Sequence, residues 1–196
     1  MNAGWTTAWV MVTAGILLAT GWKKQLLDDV PPLRAAVMAA ALLAACGFAG
    51  VWTGMTGSAL PQWLAVFGAC ALLRKAEPGK RLQALAGAVL GSIAWIWLRK
   101  LYAADPVFIL WDAQLDGPLA AGLLAAASAG HFRAQFAAVA AAAIAAEWAV
   151  PAADGGWAWL DGFLASLSAA RAVTVLARGA AALAGRLRPH ANRGAE

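Results

Sequence analysis

A chain of 196 residues that is 62% hydrophobic and only 13% charged is too poor in charge for an ordinary soluble domain, which carries about a quarter charged residues. A single bilayer-embedded domain is the natural class. The net charge of +5 does not point to nucleic acid, because the basic residues are scattered over short loops and build no basic, aromatic surface. Those loops suit contact with anionic lipid instead.

Taken in chain order, the apolar runs predict seven membrane spans. The first, 4–21, is closed by Gly21-Trp22-Lys23-Lys24; the segment before it has no basic residue, so it reads as a retained anchor and not a cleaved signal. Pro31-Pro32 breaks the following loop, and the second span is 34–54. The third, 59–73, starts near Pro61, a residue suited to a helix's first turn, and is the tightest fit to a bilayer. After the turn Glu77-Pro78-Gly79-Lys80 come spans at 82–102, 107–129, 134–150 (ending at Pro151) and 156–177. The division is one transmembrane helical domain, 1–177, and a basic, frayed tail, 178–196.

Two residue classes give the same orientation. With the N-terminus outside and the C-terminus cytoplasmic, every Lys and Arg except Arg99, Lys100 and Arg171 falls at cytoplasmic ends. Every tryptophan except Trp22 falls at outer ends, Trp95 and Trp159 included, at the depth where an aromatic belt sits. The fold class expected is an all-α polytopic bundle, multi-pass in the plasma membrane.

Charges inside the spans mark a candidate polar pocket: Arg99, Lys100, Asp112, Asp116, Glu147, Asp161 and Arg171. A charge near the bilayer centre costs at least about 2.5 kcal/mol, so such groups should turn inward and pair. Asp112 and Asp116 are four apart and would share one helical face. The economical pairing joins Arg99 or Lys100 to Asp112, and burial should disfavour ionisation of at least one carboxyl. Arg171 either reaches the cytoplasmic interface or meets Asp116. A plainer reading stands beside this one: Asp105, Asp154, Glu147 and Lys100 lie close enough to an interface to snorkel.

Other motifs argue for packing. Gly50–Gly54 and Gly87–Gly91 match GxxxG, a spacing that lets helices approach closely. Cys46 and Cys70 lie in apolar runs and show no metal or redox spacing, and His131 and His190 are remote from the outer acids. No HExxH, GxSxG or Gly-rich phosphate loop occurs. An enzyme is not expected, nor a cofactor.

Three stretches resemble the YphA family of small membrane proteins: Asp105-Pro106-Val107 with Asp112 after it, Phe132-Arg133 leading through Ala137-Ala138-Val139 to Glu147, and Trp159-Leu160-Asp161. The match covers mostly 105–165, and the Ala-rich composition departs from the bulkier apolar residues of that family. The resemblance implies an integral plasma-membrane protein with no established activity, and it singles out Asp105, Asp112, Glu147 and Asp161. Two functions remain open. One is a small-solute or ion binding or transport component using the outward acidic pocket, its ligand unknown. The other is a non-catalytic scaffold or accessory subunit that docks a membrane protein partner. The lipid bilayer is a partner in both.

Overall fold

Proline and short polar turns cut the chain into its helices. The computed structural model describes residues 2–52, 59–74, 76–151 and 155–187. Eight α-helices and no strand occur among the described residues: α1 (Trp5–Ala19), α2 (Lys23–Leu27), α3 (Pro32–Trp52), α4 (Ala59–Leu73), α5 (Pro78–Ala104), α6 (Asp116–Ser128), α7 (Phe132–Ala149) and α8 (Gly155–Leu187). Pro32 and Pro78 open α3 and α5 as first residues, where the missing N–H costs nothing. A 3-10 turn, Pro106–Phe108, lies between α5 and α6.

α5 and α8 are each long and apolar enough to cross a membrane. α1 and α4, with 15 residues each, are shorter apolar helices of about 22 Å. The bundle is organised around α7, which packs on α4, α5, α6 and α8. Its alanine run is almost wholly buried, Ala138, Ala140, Ala142, Ala143 and Ala146 among it. Alanine is weakly apolar, but its small side chain lets neighbouring helices come close.

Glycine does the same on α5. A Cβ on Gly87 would stand 3.1 Å from Cβ of Ala138, and one on Gly91 would stand 3.3 Å from Cβ of Ala142. The Gly87–Gly91 seam is thus used inside the chain, against α6 and α7. The Gly50–Gly54 seam runs outside the described residues.

Three expectations need correction. First, the span expected over 107–129 is α-helical only from Asp116 to Ser128. The Asp116 carboxylate accepts the N–H groups of Leu110, Trp111 and Asp112, so those donors cap a loop and do not continue a helix. The 13-residue α6 is about 20 Å long, short of a bilayer core. Secondly, α8 does not end near 177 but continues to Leu187 without a break. Thirdly, Trp95 and Trp159 are not at the rim but in the core, each 1% exposed. Trp95 occupies a slot made by two glycines: a Cβ on Gly117 would be 2.7 Å, and one on Gly162 2.9 Å, from its ring. Trp159 stacks on Phe163, which meets Phe136 edge-on. Trp5, Trp9, Trp63, Trp97, Trp111 and Trp148 are exposed.

Candidate functional site: a polar cleft and a buried ion cluster

Polar side chains gather at two levels along α8, which Asp161 and Arg178 place about 25 Å apart. Near the start of α8 lies a cleft of about 360 Å³, lined by Thr6, Arg99, Tyr102, Gln114, Val150 and Asp161 among others.

Asp161 faces the start of α1. Gly4 opens that helix in a left-handed conformation (φ 90°) and has no side chain to cap it. The Gly4 N–H donates to Asp161 Oδ2, and the Thr7 N–H and hydroxyl both donate to Oδ1, each at 2.6 Å. A carboxylate at that position satisfies orphan donors and opposes the positive end of the helix dipole.

Asp116, buried at the first turn of α6, accepts the three loop N–H groups named above and the Tyr102 hydroxyl at 2.9 Å. Four donors thus surround this carboxylate, and the protein itself satisfies it.

Arg99 does not pair with Asp112. Its Nη1 donates to Glu147 Oε2 at 3.3 Å and to the Val150 carbonyl at 2.7 Å, at the end of α7. Its guanidinium also lies 5.5 Å from the centre of the Trp95 ring. Glu147 is 5% exposed, so the bridge is largely desolvated. Asp112 precedes α6 and caps a local turn through the Gln114 N–H, so it shares no helical face with Asp116. Asp105 likewise caps the 3-10 turn through the Val107 N–H. Lys100 is exposed. Asp154 lies outside the described residues.

Arg171 belongs to the other level. It is 5% exposed and meets neither Asp116 nor solvent. It donates to Asp28 Oδ2 at 3.2 Å, to Gln135 Oε1 at 3.1 Å and to the Gln25 carbonyl. Arg178 donates to Asp28 Oδ1 at 2.6 Å. Asp28 also accepts the Phe132 N–H at 2.6 Å, so it caps α7, which has no side-chain cap of its own. Burial pushes the Asp28 carboxyl up, but the Arg178 contact, the Phe132 N–H and the Arg171 charge outweigh it and hold the pKa below its ordinary value. Asp29 pairs with Arg133 beside it, at 2.6 Å.

Arg99, Asp161 and, behind Tyr102, Asp116 are therefore brought to one cleft, with Glu147 against Arg99. Lys100, Asp112 and Arg171 are not. Sequence reasoning missed Thr7, Tyr102, Asp28, Gln135 and Arg178. Gln135 carried a signal: it is an amide within an apolar helix, and it is fully buried with bonds to Arg171, Thr174 and the Ala129 carbonyl. Nothing set Asp28 apart from Asp29.

Among the described residues no group of three His, Cys, Asp or Glu stands ready to hold a metal ion. No family model matches the chain, and no curated protein or solved structure matches it.

Proposed function

We propose that this chain is a multi-pass plasma-membrane scaffold or accessory subunit, not an enzyme, with its N-terminus outside and its C-terminus cytoplasmic. The resemblance to YphA membrane proteins is part of that proposal. Two long apolar helices and several exposed tryptophans support the membrane setting. With no α-helix over 105–115 and α6 short, a count of about seven spans requires α6 to cross as a short helix continued by its loop.

One observation carries the scaffold reading. Asp161, Asp116 and Glu147 are each engaged by donors from the protein itself, and the first two hold helix or loop N–H groups in place. A carboxylate that already has its donors is a poor receptor for a cationic solute. Reporters fused after Glu196 and inserted at Ser58 test the orientation: cytoplasmic and external signals respectively are expected, and a cytoplasmic signal at Ser58 contradicts it.

The cleft itself favours a second reading, a small polar solute held by Thr6, Tyr102, Gln114 and Arg99. Asp116→Asn separates the two. The scaffold reading expects lower abundance or stability, because an amide replaces one of the two acceptor oxygens with a donor. Normal abundance with impaired solute handling supports the second reading.

A further inference from the structure

α1 and α3 each pack on α8 but leave a gap between them. The gap is a groove of about 720 Å³, lined by Met11, Met38, Leu42, Phe136, Phe163 and Leu167 among others. That volume lies within the range of about 300–1,000 Å³ typical of ligand pockets. Its wall on α1 runs from Trp9 to Leu18, about 14 Å. One leaflet of a bilayer core is about 15 Å deep, so the groove has the length of one acyl chain.

The walls are apolar except for Ser168, Thr13 and Arg171. Arg171 is 5% exposed, and its Nε is buried with no hydrogen-bond partner. Its other nitrogens hold Asp28, Gln135 and Gln25, so Nε–H is the donor left over. Charge at this end is unbalanced as well. Asp28 is shared by Arg171 and Arg178, while Asp29 is taken by Arg133. Lys23 and Lys24 stand on α2, the helix whose Leu26 and Leu27 close the groove. A long apolar slot that ends at a spare guanidinium N–H and surplus positive charge is complementary to an anionic amphiphile.

We infer that the groove binds an anionic phospholipid, one acyl chain between α1 and α3 and its phosphate at Arg171 Nε. In the orientation proposed above, from which this clause alone follows, the phosphate would come from the cytoplasmic leaflet, where anionic lipid concentrates.

The test uses the full chain purified in detergent, with lipid retention read by native mass spectrometry. Phosphatidylglycerol should bind about tenfold tighter than phosphatidylcholine of the same chains: both phosphates can accept the Nε–H, but the choline cation is repelled by the surplus positive charge around the site. Gly15 lines the groove and has open space where its Cβ would be, so Gly15→Phe adds a ring at the groove wall with no clash at Cβ. That variant should lose phosphatidylglycerol while melting like the parent chain. Arg171→Lys keeps a charge for Asp28 but removes Nε–H, and should weaken retention of both lipids severalfold while leaving phosphatidylglycerol the tighter of the two. Equal retention of the two lipids by the parent chain, or unchanged phosphatidylglycerol binding in Gly15→Phe, overturns the proposal. Inorganic phosphate that competes as strongly as the lipid would overturn the assignment of the acyl groove.

Discussion

Asp161 and Asp28 each accept backbone N–H groups at the start of a helix far away in sequence, Asp161 at α1 and Asp28 at α7. Their other partners differ. Asp161 takes a third, neutral bond from the Thr7 hydroxyl at the edge of a cleft. Asp28 takes two guanidinium groups, one of them buried. One residue type thus serves as a plain cap at one level of the bundle and as the counter-ion of a buried charge at the other. The cost of losing it depends on what it leaves behind, and the two should separate clearly on mutation.

The largest effect is expected at Asp28. Asp28→Ala strands Arg171 without a counter-ion, and removing one partner of a buried pair costs about 3–5 kcal/mol. Denaturation in detergent should show a loss greater than that of Asp161→Ala, whose caps are worth about 1–2 kcal/mol. Equal losses would break the distinction. The pH dependence sharpens it. The folded Asp28 carboxyl titrates below its unfolded counterpart. Its stabilisation is therefore complete above the unfolded pKa and disappears as pH falls through the folded one. Asp28→Asn should flatten that acid limb of the stability curve, and an unaltered limb would mean that Asp28 does not carry it.

The smallest effect is expected at Lys100, which belongs to neither level. Lys100→Ala should stay within about 0.5 kcal/mol of the parent chain in the same denaturation assay. A larger loss would mean that it closes the cleft.

The helices were readable because their boundaries are local. Pro32, Pro61, Pro78 and Pro151 act on their own stretch of backbone, and the predicted spans 34–54, 59–73 and 134–150 lie close to α3, α4 and α7. The loop before α6 was not readable, because hydropathy registers Val107, Leu110 and Trp111 as apolar but cannot register Asp116 turning back onto their N–H groups. Trp95 and Trp159 were misplaced for a related reason. A tryptophan near a helix end looks like a belt residue unless one knows that Gly117 and Gly162 open a slot for it. Of the candidate site, the charged residues of the spans could be named but not their partners. Asp161 meets Gly4 and Thr7, and Asp28 meets Phe132 and Arg171, across more than a hundred positions. Periodicity and charge counts carry no information over that range.

The central claim is that the cleft carboxylates hold the bundle together through its helix ends. The most direct test is the melting temperature of the purified protein with Asp161→Ala, compared with Asp161→Asn. A loss of about 1–2 kcal/mol lowers the melting temperature of a chain this long by about 2–8 °C. The account predicts that drop for alanine and a smaller one for asparagine, itself a good N-cap residue. Unchanged melting in both variants would contradict it and return Asp161 to the cleft as a free carboxylate.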